Sequence, residues 1–549
     1  MTFEKKAVYQ IYTKSFYDSN QDGVGDLRGI IEKLDYLQYV GMDTIWISPV
    51  FVSPQNDNGY DVADYRNVDP RYGTMEDLEE LIAEAKKRNI DIMLDMVFNH
   101  TSTQHEWFQK ALQGDEKYKN YYIFRKGKEG GLPPTNWESK FGGNTWEYVE
   151  NLDEYYLHLF DKTQADLNWD NPELRDEIVD IVKFWMEKGV YGLRFDVVNL
   201  ISKPLEFEDD LEGDGRRFYT DGRKVHEYLR EINERTFGND ERIITVGEMS
   251  STTMENCARY AGKDSHELTM TFNFHHLKVD YKDKQKWVLK PFDFEELKSL
   301  FHNWNTFMQD ANAWNAWFWC NHDQPRALSR FGNDGVYRKE SAKMLATVVH
   351  MMRGTPYIYQ GEEIGMTNAY FTDLHQYRDV ESINYFQILK EQGMEEEEIY
   401  HILQERSRDN SRTIMQWSDE EHAGFTKGTP WIQAIDNYRQ INVEKSLKDE
   451  QSILEYYRKL IQLRKKYDII GSGSYVPFME DHPTVFAYKR ESEQEELLVL
   501  ANFYETKTTV QLPEDSGYEV LIGNYQDTVY AQELKLRPYE TVVFYKRLG

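Results

Sequence analysis

Short apolar runs rich in β-branched residues recur eight times along the first two thirds of the chain, at residues 7–12, 44–48, 91–98, 192–197, 243–248, 268–274, 316–321 and 355–360. Polar stretches with a helical period of apolar positions separate most of them. Strand-then-helix units of this kind build a parallel sheet, and eight of them predict a (β/α)8 barrel, an α/β fold. Local punctuation agrees. Thr74-Met-Glu-Asp77 is a capping-box-like helix start, and Asn171-Pro172-Glu-Leu places a capping side chain before a proline in the first turn.

The pattern breaks in two places. Residues 101–171 are rich in Gly, Pro, Asn and Trp and too long for one loop, which predicts a small inserted domain after the third strand. From residue 473 onward the period shortens to alternation, with runs at 484–489, 497–503 and 541–545, and predicts a C-terminal antiparallel β-sandwich domain over 473–549. The barrel is then expected over 1–100 and 172–472. Within it, 367–455 form a polar helical subdomain, and 452–466 make a strongly amphipathic helix.

Composition narrows the function classes. A length of 549 residues accommodates this multidomain reading, and a 14% aromatic share suits sugar clefts as well as cores. A formal charge of -30 disfavours nucleic acid and anionic membrane as partners, because both are bound through basic patches. The only cysteines are Cys257 and Cys320, no apolar run is long enough to span a bilayer, and the N-terminus lacks a signal-peptide pattern. A cytoplasmic enzyme is expected, and a monomer.

Barrel enzymes carry their chemistry where strands end. Four ends stand out here: Asp95 to His100, Arg194-Phe-Asp196, Gly247-Glu248 and Asn321-His322-Asp323. A lone Asp at a strand end is more often a helix cap than a nucleophile, but four coincident ends reverse those odds. Glycoside hydrolysis needs two carboxyl groups flanking the scissile bond, and Asp196 and Glu248 sit on consecutive strand ends. Mutual repulsion is expected to keep one of them, Glu248, protonated as the acid.

These four segments, in this order and on these strands, resemble the signature regions of the α-amylase-type glycoside hydrolases (family 13) over nearly the whole chain. Gln164-Ala-Asp-Leu-Asn168 is similar to a fifth region of the oligo-1,6-glucosidase group, with Ala165 where Pro is common. The resemblance implies Asp196 as nucleophile, Glu248 as general acid/base and Asp323 as the carboxylate that holds the 2- and 3-hydroxyls in the transition state. It implies that Tyr60, His100, Gln164, Arg194 and His322 bind sugar, and that Asp57 and Arg408 close the pocket for exo action. No organic cofactor is implied.

Asp18-x-Asn20-x-Asp22-Gly-Val24-Gly-Asp26 places oxygen ligands at alternate positions around a glycine turn, as a hard cation requires. Gly29 stands where an EF-hand has its bidentate Glu, and an Asx-rich turn without metal is the alternative. The resemblance favours a structural Ca2+, or Mg2+, held by Asp18, Asn20, Asp22, the Val24 carbonyl and Asp26.

Substrate choice turns on the segment after the sixth strand. Neutral-substrate relatives tend to have acidic residues where this chain has His275 and Lys278, and Lys286 follows. A phosphate dianion approaching so acidic a chain needs nearby cations. Pro134-Thr-Asn-Trp-Glu-Ser-Lys-Phe-Gly-Gly, Gly247-Glu-Met-Ser-Ser-Thr-Thr253 and Phe272-Asn-Phe-His-His-Leu-Lys278 resemble the members of the family that act on α,α-trehalose 6-phosphate. This resemblance implies that phosphorylated disaccharide as the substrate, cleaved to glucose and glucose 6-phosphate with retention. An oligo-1,6-glucosidase acting on neutral isomalto-oligosaccharides is the alternative, and a non-catalytic binding protein on the same scaffold is the remote one.

Overall fold

A computed structural model describes residues 2–514 and 517–548. All eight expected strands form: β1 (Val8–Ile11), β2 (Thr44–Ile47), β3 (Asp91–Met96), β4 (Gly192–Phe195), β5 (Ile244–Glu248), β6 (Met270–Phe272), β7 (Ala316–Phe318) and β8 (Thr355–Tyr359). Each is shorter than its apolar run: β5 loses only Ile243 at its start, and the other seven lose residues at the C-terminal end, where the chain turns out of the ladder into the following loop. They lie in one sheet in the order β6-β5-β4-β3-β2-β1-β8-β7, the sequential order of a (β/α)8 fold. Neighbouring strands pair in parallel, for example Gly192↔Met93 and Gly192↔Ile244.

The helix starts behave as their residues dictate. Thr74 Oγ1 accepts from the Asp77 amide at 3.2 Å and Asp77 returns a bond to the Thr74 amide at 2.8 Å, opening α1 (Met75–Lys87). Asn171 caps α2 (Pro172–Glu187) through the Glu173 amide. Ser452 caps the amphipathic helix Ile453–Lys466 through the Glu455 amide.

The chain divides into two compact units. One unit, residues 46–87 and 91–274, holds β3 to β6 and the inserted segment. Its insertion carries a three-stranded antiparallel sheet, Phe124–Arg125 and Trp146–Val149 flanking Glu154–Leu157. Ile123, Trp137, Trp146 and Leu157 share one apolar cluster with Val197 and Leu200, which follow β4.

The other unit, residues 1–45, 88–90 and 275–549, holds β1, β7, β8 and the C-terminal region. There a five-stranded antiparallel sheet and the two-stranded pair Thr508–Gln511 with Glu533–Leu536 enclose a core that includes Val485, Leu498, Val510, Leu536 and Phe544. This core joins α3 (Arg338–Met351) through Tyr488, whose hydroxyl donates to the Val348 carbonyl, and Arg490, which donates to the Met351 carbonyl. No helix among the described residues is long and apolar enough to cross a membrane.

Candidate active site

In the unit that holds β3 to β6, one guanidinium organises the strand tips. Arg194, on β4, is fully buried and pairs with three carboxylates: Asp95 at 2.7 Å, Asp196 at 2.5 Å and Glu248 at 2.5 Å. Asp196 and Asp95 share its Nη1, while Glu248 takes Nη2. Two carboxylates from consecutive strands are thereby fixed on neighbouring nitrogens of one planar group, a rigid fork that Lys could not supply. Arg194 also stacks over Trp46, at 4.8 Å from its ring.

Local backbone sets the aim of both side chains. After Asp196 the chain turns sharply at Val197, a β-branched residue held at φ 34°, ψ 42°. Such a conformation is strained for valine and typical of functional turns. The turn points the Val197 amide at Glu248, whose Oε2 accepts at 3.2 Å. On β5, a Cβ at Gly247 would stand 2.6 Å from the tip of the Leu268 side chain and 2.7 Å from that of Met249, so a larger residue here would require both side chains to shift.

Three acids around one base leave a surplus of negative charge in a buried place. Asp95 absorbs part of it: burial, followed by the neighbouring Asp196 charge, pushes its carboxyl up to about 7 against the pull of Arg194. It also accepts from Trp46 Nε1 at 3.1 Å and the Tyr60 hydroxyl at 2.9 Å. Burial holds His100 below its ordinary value, so its imidazole is neutral near pH 7. Its Nε2 sits 3.0 Å from the Tyr60 carbonyl, which makes that nitrogen the donor, and its Nδ1 faces the Asn99 amide at 3.1 Å. Gln164 donates to Asp57 at 3.0 Å. Asp57, Tyr60, His100, Gln164, Arg194, Asp196 and Glu248 thus all lie in this unit, joined by hydrogen bonds and ion pairs into one network in which Tyr60 links Asp95 to His100 and Gln164.

Behind them is a buried ion pair with no local sequence signal: Lys203 bonds Asp166 at 2.8 Å, the Asn99 side chain at 2.7 Å and the Leu200 carbonyl at 2.7 Å. It buttresses the residue next to His100.

In the other unit a second cluster surrounds Asp323. His322 Nδ1 meets the Gln10 amide at 2.8 Å, its ring stacks on Tyr12, and its Nε2 is 3.3 Å from the Asp323 carboxylate. Arg412 donates to Asp323 at 2.8 Å and Arg408 at 3.3 Å. Arg408 also holds Asp379 at 2.7 Å. Burial raises the Asp379 carboxyl, but Arg408 and Arg412 outweigh it and keep it well below the usual range. Sequence reasoning does not find Arg412 or Asp379, although Arg412 closes the motif that contains Arg408.

The basic residues after β6 separate. The His275 ring packs 5.3 Å from Trp304, and Lys278 is exposed at the end of the turn. Lys286 bonds Glu381 at 2.6 Å, and Glu381 is 3.5 Å from Arg408, so its charge is already matched within the Arg408 network.

The Asp18 loop is curled by its own side chains. Asp18 accepts from the amides of Asn20, Gln21 and Gly23, Asn20 from Asp22, and Asp22 from Val24. Asp26 accepts from Ser19 and from the Gly29 amide as a helix cap. Gly23 has φ +94°, and a Cβ there would strike the Thr429 carbonyl at 1.9 Å. Among the described residues no three His, Cys, Asp or Glu side chains gather as a metal site, so a cation here would also draw on the Asn20 amide and Val24 carbonyl oxygens. The donor set is all oxygen, as a hard cation requires, but both Asp18 oxygens already accept two bonds each, Oδ1 from the Asn20 and Gln21 amides and Oδ2 from the Gly23 amide and the Thr426 hydroxyl, so a cation there would have to displace some of these.

Comparison with known proteins follows this geometry. Residues 10–473 match the alpha amylase, catalytic domain family, and residues 485–543 match the alpha-amylase SusG C-terminal domain. The chain is 54% identical over 548 residues to the trehalose-6-phosphate hydrolase of Bacillus subtilis (strain 168), spanning 99% of this chain and 98% of that protein. It is 48% identical to the oligo-1,6-glucosidase of Bacillus cereus, spanning 99% of each. Among solved structures, the trehalose-6-phosphate hydrolase of Bacillus licheniformis superposes with a TM-score of 0.96 at 54% identity over 99% of each chain.

Proposed function

Because the chain belongs to the α-amylase family of glycoside hydrolases, we propose that it hydrolyses α,α-trehalose 6-phosphate to glucose and glucose 6-phosphate with retention. The observation that carries the chemistry is the fork of Arg194, which fixes Asp196 and Glu248 on adjacent nitrogens. The observation that carries the substrate is full-length identity of 54% and 53% to two trehalose-6-phosphate hydrolases.

Asp196 attacks the anomeric carbon as the glycosidic C–O bond breaks, and Glu248 gives its proton to the departing oxygen. The glucosyl ester on Asp196 is then opened by water, which loses a proton to Glu248, and α-glucose leaves. Arg194 pairs with the Asp196 carboxylate and holds it still for in-line attack. Asp323 takes the role of the carboxylate for the 2- and 3-hydroxyls, held rigid by Arg412 and Arg408. His100, Tyr60, Gln164 and His322 supply the sugar contacts. Asp57 and Arg408 are the residues assigned to the non-reducing end of the sugar. Lys278 supplies positive charge for the phosphate and His275 a ring nitrogen to hydrogen-bond it, whereas Lys286 is already paired with Glu381.

Asp18, Asn20, Asp22, the Val24 carbonyl and Asp26 would hold Ca2+ or Mg2+. Bound there, the ion would cross-link a loop that takes no part in the reaction.

The experiment that tests this reading compares turnover of trehalose 6-phosphate, trehalose and isomaltose by the purified full-length chain. Trehalose 6-phosphate is expected to have the highest kcat/KM. Isomaltose as much the best substrate would assign the chain to the neutral oligo-1,6-glucosidases instead.

A further inference from the structure

Asn199 lies three residues after Asp196 in the sequence, on the short turn Val198–Leu200, and its side chain is fully buried. It points toward the other carboxylate-bearing loop. Its Oδ1 accepts from the Ser250 amide at 2.8 Å, and its Nδ2 donates to the Ser250 carbonyl at 2.8 Å. One side chain therefore satisfies both polar groups of a single residue, and that residue is two positions beyond Glu248. A two-point bond of this kind fixes direction as well as distance.

The latch is itself anchored. Asp221, at φ 50°, gives its amide to the Asn199 carbonyl at 2.8 Å, and its carboxylate lies 3.3 Å from Asn199 Nδ2. The same carboxylate accepts from Tyr260 at 2.7 Å, Asn256 at 2.9 Å and Thr252 at 3.3 Å, all on the segment that follows Glu248. Asn199 and Asp221 thus join the loop after Asp196 to the loop and helix after Glu248. Arg194 and the Val197 amide contact the Glu248 carboxylate directly, and Asn199 secures the backbone that carries it.

We propose that Asn199 is a positioning residue. It sets the separation between the loops bearing Asp196 and Glu248, and thereby the reach of the Glu248 proton to the leaving oxygen. This rests on the roles given above to Asp196 and Glu248. Catalytic groups must be held within about half an ångström, and a displacement of about 1 Å costs on the order of 100-fold in rate.

The test uses aryl α-glucosides of graded leaving-group acidity. A 2,4-dinitrophenyl group departs with little proton assistance, whereas a 4-methoxyphenyl group needs it. Asn199→Ala is expected to lower kcat/KM, which reports formation of the glucosyl ester, about 10- to 100-fold on the 4-methoxyphenyl substrate and by less than about threefold on the dinitrophenyl one. Asp221→Asn, which retains the latch but removes its anionic anchor, is the second variant should Asn199→Ala fail to fold. It should show the same selectivity at smaller amplitude. An equal loss on all substrates, or none, in whichever of the two folds would overturn the proposal. Glu248→Ala is the control: a flat leaving-group dependence there would remove Glu248 as the acid, a failure distinct from that of Asn199.

Discussion

Arg194 shows how one residue converts strand order into chemistry. Its guanidinium is the common partner of Asp95, Asp196 and Glu248, and a Lys would offer only a point charge in place of the fork. Lys278 bears on selectivity. Lys278→Ala should raise KM for trehalose 6-phosphate about tenfold, a charge-assisted hydrogen bond being worth about 1.5 kcal/mol, and leave an uncharged aryl α-glucoside nearly unchanged. Equal loss on both substrates would make Lys278 structural. Glu362 illustrates buried charge away from the chemistry: burial pushes its carboxyl up to about 7, with Tyr457 donating at 2.7 Å. A folded-state value raised above the unfolded one means that the folded chain binds the extra proton. Stability is therefore lost as pH climbs from about 4.5 toward 7. Glu362→Gln should gain on wild type by on the order of 3 kcal/mol between pH 5 and 8, read from urea midpoints, and a constant difference would contradict this. The carboxylates and Arg194 were legible in the sequence because each sits in a short strand-end motif. Trp46, Asp379, Arg412, Lys203 and Asn199 were not, because their partners lie dozens of residues away and no local spacing encodes such pairs.

At the scale of elements, legibility follows burial. The eight barrel strands are almost wholly buried on both faces and so read as continuous apolar runs. The strands Thr508–Gln511 and Glu533–Leu536 alternate with exposed polar residues and leave no such run, and neither does the hairpin of Phe51–Val52 with Asp64–Val68. The Asp18 loop is an element whose shape comes from Asx turns, visible in its alternation of Asp and Asn with Gly. If it binds a hard cation, a chelator should lower the unfolding temperature of the wild-type chain, and Ca2+ should restore it. Asp18→Ala should be insensitive to both. A wild-type transition indifferent to chelator would leave the loop as a self-sufficient Asx turn.

For the whole molecule, the governing facts are the parallel eight-stranded order and a net charge of -30. The first gathers loops that follow successive strands. The second keeps the surface soluble and makes a local positive site necessary for a phosphorylated sugar. The domain plan was only partly readable. Alternation announced the C-terminal sheet and composition announced the insertion. Yet Trp137 and Trp146 of the insertion share a cluster with Val197 and Leu200, an association that composition does not reveal. Retention through an ester on Asp196 is the central claim. The most direct measurement is mass spectrometry of the full-length chain quenched during reaction with 5-fluoro-α-glucosyl fluoride, followed by peptide mapping. A fluoroglucosyl adduct on Asp196 is the predicted result; a peptide without it, or an adduct on another carboxylate, would contradict the mechanism.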